Sequence, residues 1–501
     1  MSGRNGAELT VGLVGAGAMG RGIAQVSAVG GMNTLLFDTI PGAAADAIAF
    51  VGTMLKRQVE KGRMEESAAN AAMERLRIAK SLTDLATCDV VIEAVIEDLA
   101  VKQKLFRELE TVVGTDAILA SNTSSLRIAA IASACENRGR VGGLHFFNPV
   151  PLMKLVEVVR APDTRDDVIA TLFAIGEWMD RTPVIVRDGP GFLVNLGGRA
   201  YTTEALRIVH EQIATPAQVD AVMRDSGGFR MGPFELMDLT GIDVNFPAST
   251  TIYDGYFQDR RIATSPLHET LFASGRLGRK TGSGYFSYNA DGKKISENPD
   301  TETNAAPVAT VALAEPNTTL TEFLASIDVR VANDDGSLVL MAAPLGEDCT
   351  AVAQRTGTDH RRLVAIDLST DAISRVTLMT APGVDPLLRD AVIASMAAAG
   401  RTVTAIHDSP GFIVQRIRAM VANLGCEIAQ LGIATPDDIN TAMRLGLNYP
   451  QGPLELADAM GPDTVLAILS NLQAITGDDR YRPSQWLRRR ALLGLAATAP
   501  D

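Results

Sequence analysis

Three words of this sequence occur twice at one constant spacing. Asp188-Gly189-Pro190-Gly191-Phe192-Leu193-Val194-Asn195 returns as Asp408-Ser409-Pro410-Gly411-Phe412-Ile413-Val414-Gln415. Ile213-Ala214-Thr215-Pro216 returns as Ile433-Ala434-Thr435-Pro436, and Gly232-Pro233-Phe234-Glu235-Leu236 as Gly452-Pro453-Leu454-Glu455-Leu456. Each second copy begins 220 residues after the first (188 to 408, 213 to 433, 232 to 452). Several words at a single offset imply an internal duplication. The words lie in stretches of helical pattern, so the duplicated unit is a helical domain. The copies are not equivalent. Gln415 stands where Asn195 does, and residues 487–501 hold nothing like Arg279-Lys280-Thr281-Gly282-Ser283-Gly284-Tyr285.

Ahead of the first copy, strands alternate with helices. Leu9–Val14 is a short apolar strand running into Gly15-Ala16-Gly17-Ala18-Met19-Gly20, and Arg21–Val29 has helical composition. In a G-x-G-x-x-G turn the first glycine allows the tight bend and the second lets backbone approach a pyrophosphate. The third lets helix and strand pack closely, with the helix N-terminus toward the anion. A second strand, Thr34–Phe37, ends in Asp38, an acidic residue suited to the adenosine ribose hydroxyls. No arginine directly follows Asp38, which favours NAD over NADP. Further strands read at Cys88–Val95, Asp116–Ser121, Val141–Phe147, Leu155–Val159 and Thr182–Arg187, and residues 43–80 read as helical. This pattern predicts a mostly parallel, doubly wound sheet.

The expected fold is therefore an α/β Rossmann-type NAD-binding domain at 1–187, then an all-α domain at 188–290. A polar linker follows at 291–318, then a degenerate α/β segment at 319–400 and a second copy of the all-α domain at 401–501. Runs such as Ser337–Met341 and Leu363–Asp367 are strand-like, but the segment contains no G-x-G-x-x-G. That segment reads as a shrunken, cofactor-free relative of the first domain.

Composition narrows the classes of function. The 501 residues are 46% hydrophobic and 21% charged, an ordinary globular balance. A formal charge of −13 argues against nucleic acid or an anionic membrane as a partner. No signal pattern and no run long enough to span a bilayer is present. Cys88, Cys135, Cys349 and Cys426 are scattered, which suggests reduced thiols and a cytoplasmic setting. The five histidines form no HExxH-type pair, so no metal is expected.

One constellation remains. His145 closes a buried strand, Pro149 and Pro151 stiffen the turn beyond it, and Glu157 follows twelve residues on. Ligands of open α/β sheets bind at the carboxyl ends of the strands. By itself His145 is equally a core histidine, Glu157 a strand-end charge and Asn195 a helix N-cap. Ser121-Asn122-Thr123-Ser124-Ser125 reads as a turn with an N-cap or as a set of ligand hydrogen bonds. Lys56 and Lys61 read as a solvated helix face, and Lys280 as a loop charge.

Taken together, Ser121–Ser125, Gly143-Leu144-His145-Phe146-Phe147-Asn148-Pro149-Val150-Pro151 and Gly232–Leu236 resemble the L-3-hydroxyacyl-CoA dehydrogenase family. More narrowly, the chain is similar to the long bacterial 3-hydroxybutyryl-CoA dehydrogenases with a second C-terminal domain. The resemblance covers 10–290 closely, 400–490 as the duplicate and 300–400 loosely. It implies an NAD-dependent oxidoreductase of β-oxidation-type fatty acid metabolism acting on an acyl-CoA, with no enoyl-CoA hydratase region. His145 would be the catalytic base, Glu157 its partner, and Ser124 and Asn195 the groups near the reacting oxygens. Gly15, Gly17, Gly20, Asp38, Glu97, Lys102, Asn148 and Lys280 would surround NAD, and Lys61, with Lys56, would meet the CoA nucleotide. One departure stands out: Asn195 is followed by Leu196-Gly197-Gly198-Arg199 where the family usually has arginine directly after asparagine.

Short 3-hydroxybutyryl-CoA is the first expectation for the substrate, with 3-hydroxyadipyl-CoA its competitor. Two other readings stand beside it: an NAD-linked dehydrogenase of free acids such as L-gulonate, and a non-enzymatic, crystallin-like NAD-binding protein. The duplicated helical domain implies either a monomer whose two copies pack as an internal pseudo-dimer, or a homodimer.

Overall fold

The computed structural model describes residues 9–295, 297–370 and 374–500. Contacts divide the chain into two compact units, one of residues 1–196 with 431–447 and one of 197–430 with 448–501. The first unit is built on an eight-stranded sheet: β1 (Thr10–Val14), β2 (Asn33–Phe37), β3 (Leu76–Ile78), β4 (Val90–Glu93), β5 (Ile118–Ser121), β6 (Val141–Phe146), β7 (Leu155–Arg160) and β8 (Thr182–Arg187). Their order is β3-β2-β1-β4-β5-β6-β7-β8. Every neighbouring pair is parallel except β6 and β7. Strands such as β4 and β5 are buried at every position, as a sheet covered on both faces requires.

Order reverses at β1, where β2 lies to one side and β4 to the other, so the β1 loop opens at the switch point used for ligands in such sheets. Residues 43–80 are not one helical stretch. Helices Ala43–Glu60 and Glu66–Glu74 are followed by β3, whose three residues carry too little pattern to betray an edge strand. The prolines at 149 and 151 do not extend the chain; Leu152 N donates to Pro149 O (2.9 Å), and the turn sends β7 back antiparallel to β6.

The second unit contains a six-stranded sheet: β9 (Thr310–Leu313), β10 (Arg330–Val331), β11 (Leu340–Ala342), β12 (Leu363–Ile366), β13 (Arg375–Thr380) and β14 (Thr402–Ile406). Its order is β10-β9-β11-β12-β13-β14, again with one antiparallel pair, β12 and β13. β13 and β14 begin 220 residues after β7 and β8 (155 to 375, 182 to 402), so the duplication reaches into the sheet. The stretch expected to be linker through 318 already contains β9. Its four residues, Thr-Val-Ala-Leu, are hidden in sequence by the polar and proline-rich composition around them.

Helices of the repeated words share their starts. Thr215 caps helix Pro216–Asp225 with its hydroxyl on Gln218 N, and Pro233 and Pro453 occupy the first turn of helices Pro233–Thr240 and Pro453–Met460. Proline there loses no hydrogen bond, because that N–H has no intrahelical partner. Within the second unit, helix Arg199–His210 packs along helix Ile413–Gln430, its counterpart from the other copy. Arg416 and Arg480 each donate to the fully buried Glu204 carboxylate at 2.8 Å, and the Tyr481 hydroxyl adds a third bond at 3.0 Å. Residues 401–501 do not form one body, however. Helix Pro436–Leu447 packs on β7 and β8 within the first unit, where Gly446 leaves room for Leu155 and Val194.

Candidate active site

The glycine turn after β1 is shaped by contacts no side chain would survive. Gly15 has φ +108°, and a Cβ there would lie 2.4 Å from Ala94 O; at Gly20 it would lie 1.8 Å from Gly15 O. Gly17 faces open space instead, as a residue does where a ligand must approach backbone. Asp38 closes the turn, accepting from Ala16 N (2.7 Å) and Ile40 N (2.8 Å). A cavity of about 500 Å³ opens beside it, bounded by Gly15, Gly17 and Asp38 and walled by Leu82, Val95, Ile96, Val101 and Leu105. Apolar walls suit an adenine ring, and a carboxylate suits ribose hydroxyls while repelling a further phosphate. The residues present therefore fit NAD.

Register brings the distant pair together. His145 of β6 lies directly opposite Glu157 of β7, with Nδ1 2.6 Å from Glu157 Oε2, the histidine 5% and the glutamate 0% exposed. The other carboxylate oxygen accepts from Leu193 N (3.1 Å) and Val194 N (2.8 Å) in the first repeated word. A carboxylate only accepts, so the ring proton stands on Nδ1 and Nε2 keeps its lone pair. The rings of Phe147 and Phe192 lie 4.5 and 5.8 Å from the imidazole. Phe192 itself sits at φ +46°, held in the bend that aims the next two N–H groups at Glu157.

Asn195 Nδ2 donates to Ser124 O at 3.4 Å, so these two expected residues also meet. Ser124 is exposed, and its loop is gathered by one oxygen of Glu97, which accepts from Thr123 Oγ1, Ser124 N, Ser125 N and Ser125 Oγ. Burial opposes the charge on Glu97, yet the Thr123 hydroxyl and the Lys102 ammonium hold its carboxyl down at about 2. Lys102 is turned inward, 1% exposed, with Nζ 2.6 Å from Glu93 and 3.1 Å from Glu97. It reaches the site through Glu97.

Asn148 is exposed in the proline turn and lines a smaller cavity of about 230 Å³ with Ala18, Arg21, Phe50 and Gln58. Lys56 and Lys61 are exposed on and just beyond helix Ala43–Glu60. Lys280, in the second unit, forms an ion pair with Asp243.

Sequence inspection missed three contributors. Glu93 binds Lys102 and the Ser121 hydroxyl (2.6 Å) beneath the serine loop; a glutamate inside a buried strand was its signal, since such a charge must be paired. Asn122 Oδ1 accepts from Phe146 N (2.9 Å), tying β5 to the strand of His145. Asp188 opens the repeated word by accepting from Ile128 N (3.0 Å) and Ala129 N (2.8 Å). In the second unit Asp408 does the same for Cys349 N (2.7 Å) and Thr350 N (3.2 Å). A repeated aspartate was visible, but not the helix it would cap.

Among the described residues of the second unit, no histidine stands in this arrangement. Thr377 stands where Glu157 does, and across β12 and β13 it faces Asp367 rather than an imidazole. Gln415, in the place of Asn195, binds Asp367 Oδ1 (3.0 Å), Pro344 O (3.1 Å) and Gly346 N (2.9 Å).

The family model for the 3-hydroxyacyl-CoA dehydrogenase NAD binding domain matches residues 10–189, and that for the C-terminal domain matches twice, at 191–288 and 411–499. The chain is 37% identical over 486 residues to 3-hydroxyadipyl-CoA dehydrogenase of Escherichia coli K12, spanning 97% of this chain and 98% of that one. A crystal structure of 3-hydroxybutyryl-CoA dehydrogenase from E. coli K12 superposes with a TM-score of 0.86 at 36% identity, covering 97% and 98% of the two chains. A probable 3-hydroxybutyryl-CoA dehydrogenase of Bacillus subtilis is 37% identical over 276 residues, 55% of this chain and 96% of its own. With both domain models matched and likeness along nearly its whole length, the chain belongs to the 3-hydroxyacyl-CoA dehydrogenase family, as an NAD-dependent oxidoreductase in which the C-terminal domain occurs twice.

Proposed function

We propose that the chain oxidises a short L-3-hydroxyacyl-CoA, such as 3-hydroxybutyryl-CoA, reversibly to the 3-oxoacyl-CoA, with His145 as the general base. The observation that carries this reading is the buried 2.6 Å bond from His145 Nδ1 to Glu157. It leaves Nε2 free to take the hydroxyl proton as the alcohol is oxidised, and the carboxylate stabilises the imidazolium that forms. Bound NAD supplies the acceptor for the hydride leaving the same carbon. The Ser124 hydroxyl and the Asn195 amide donate to the reacting oxygen and the thioester carbonyl, holding the acyl group for proton transfer. In the reducing direction His145 returns the proton.

Gly15, Gly17 and Gly20 admit the pyrophosphate, and Asp38 takes the ribose hydroxyls. Glu97 holds the serine loop, and Lys102 has a positioning part through it. Asn148 and Lys280 are the further groups of the chain assigned to NAD, and Lys61, with Lys56, attracts the CoA nucleotide. Glu204, shared by Arg416 and Arg480, supports a monomer acting as its own pseudo-dimer. Four buried free cysteines suit a cytoplasmic setting.

The test follows NADH absorbance with acetoacetyl-CoA and with L-gulonate and NAD, in the parent and in His145→Ala. Thioester turnover in the parent that falls by roughly 10²–10⁴-fold in the variant is expected. Turnover of gulonate alone would overturn the substrate, and an active variant would overturn the base.

A further inference from the structure

The bond between Arg416 and Glu204 belongs to a longer run of ion pairs inside the second unit. Arg260 reaches Asp478 (3.4 Å), Asp478 reaches Arg207 (3.6 Å), and Arg207 pairs with Glu211. Glu211 then meets Arg416 (3.0 Å), Arg416 meets Glu204 (2.8 Å), and Glu204 meets Arg480 (2.8 Å). Along this run the charges alternate, and a cation stands at each end. Four guanidiniums (Arg260, Arg207, Arg416, Arg480) share three carboxylates (Asp478, Glu211, Glu204). The two ends come together. Arg480 Nη1 donates to Arg260 O at 3.2 Å, and both residues line one cavity of about 210 Å³, with Thr203, Arg207, Ser265 and Asp478.

Donors remain unspent at that cavity. The Arg260 side chain is 57% exposed and touches Asp478 through Nη2. Arg480 is nearly buried, and among the described contacts four of its five N–H groups are taken. Nε donates to Glu204, Nη1 to Arg260 O and Ala263 O, and Nη2 to Thr203 Oγ1. Ser265 Oγ accepts from Leu267 N (3.3 Å), which leaves its hydroxyl proton to give.

The duplication supplies an internal control, because the framework does not need cations at these positions. At the offset of 220, Glu427 and Gln430 stand where Arg207 and His210 do. The short turns Arg260–Ile262 and Asp479–Tyr481 follow capping aspartates, Asp259 and Asp478, and precede capping serines, Ser265 and Ser484. Those caps lie 219 residues apart (259 to 478, 265 to 484), so Asp479 replaces Arg260 and Arg480 replaces Arg261. In the second arrangement the buried Arg261 is answered by the Glu427 carboxylate at 3.1 Å. In the first, the counterpart of that carboxylate is Arg207. An anion present on one side is thus exchanged for a cation on the other, and the cavity lies on the cationic side.

We propose that this cavity binds a phosphate group, which bridges Arg260 and Arg480 and closes the run of ion pairs into a ring. Guanidinium forks match the oxygens of a phosphate, and Arg207 and the Ser265 hydroxyl add donors beside them. Asp478 is the one carboxylate in the lining; Arg207 and Arg260 share its Oδ2, and a phosphate bound on their other edges offsets the excess positive charge. The volume admits free phosphate or a small phosphomonoester and excludes a dinucleotide. Arg207 belongs to the helix of the first copy and Arg480 to the second copy, so the bound group braces the two copies and stabilises the folded chain.

The experiment titrates the full chain with inorganic phosphate and, separately, with glycerol 3-phosphate by isothermal calorimetry. NADH is kept saturating so that the dinucleotide turn is occupied. One phosphate per chain is expected, with a thermal midpoint that rises with phosphate concentration. Arg260→Gln and Arg207→Gln should each weaken binding by roughly 10- to 100-fold, the range for lost hydrogen bonds to a charged group, with NADH affinity unchanged. Arg260→Asp installs the residue the second copy carries at this position; it should fold and abolish binding. Tighter binding of glycerol 3-phosphate would make a phosphomonoester the ligand, and tighter binding of inorganic phosphate would make it the free ion. No heat and no midpoint shift with either probe would overturn the proposal. Binding that both Arg260 variants leave unchanged would overturn it too, since the phosphate would then sit elsewhere.

Discussion

Glu157 sits fully buried and divides its two oxygens between His145 and a pair of backbone N–H groups. Replacing it by glutamine keeps the shape but offers the ring an amide, which can impose the wrong tautomer. Glu157→Gln is expected to lower kcat by roughly 10²–10⁴-fold with little change in KM, measured by steady-state kinetics. Glu97 carries a second prediction. Its carboxyl value falls from the ordinary 4.5 to about 2, so the folded state favours the charged form. The stability it contributes is complete above about pH 4.5 and is lost as pH falls toward 2. Thermal midpoints of the parent and Glu97→Gln should therefore differ at neutral pH and converge through that window. Equal gaps at every pH would show that the serine loop does not depend on the charge.

The glycine turn acts as one element with β1 and the helix Ala18–Val29 behind it. Its third glycine has no room for a methyl group, since a Cβ at Gly20 would strike Gly15 O at 1.8 Å. Gly20→Ala is expected to push the helix off the turn and weaken NADH binding by at least tenfold in a fluorescence titration. The helical content of the whole chain should stay unchanged by circular dichroism, so that the lost binding reports on the turn. This element was legible in sequence because its constraints are local: three glycines, a strand before them, an acidic strand end after them. β3 and β9 were not, because three or four residues with ordinary side chains become strands only when a neighbour offers its unpaired edge.

At the scale of the whole molecule, the two copies have diverged in chemistry while keeping their framework. Asp367, Thr377 and Gln415 replace the histidine, glutamate and asparagine of the first copy, and no G-x-G-x-x-G turn follows β9. One NADH per chain is the expected stoichiometry by isothermal titration; two would show that the second sheet binds cofactor. Glu204 joins its helix to helix Ile413–Gln430 through the buried Arg416 and to the segment Asp479–Tyr481 through the buried Arg480. Glu204→Ala would strip Arg480 of its carboxylate and leave Arg416 only Glu211, at 3.0 Å, and is expected to cost about 3–5 kcal/mol in denaturant unfolding. Light scattering after size-exclusion chromatography should find the parent monomeric.

The sequence by itself determined the duplicated plan, the dinucleotide turn and the candidate residues of the site, because each rests on short words of fixed spacing. It could not pair His145 with Glu157, since a one-residue slip between β6 and β7 would turn either side chain to the opposite face. Nor could it turn Lys102 inward, bury Arg199, or carry helix Pro436–Leu447 to the first sheet. Those outcomes depend on which surfaces meet after the chain has folded. Only the tertiary structure, where burial forces every charge to find a partner, decided them.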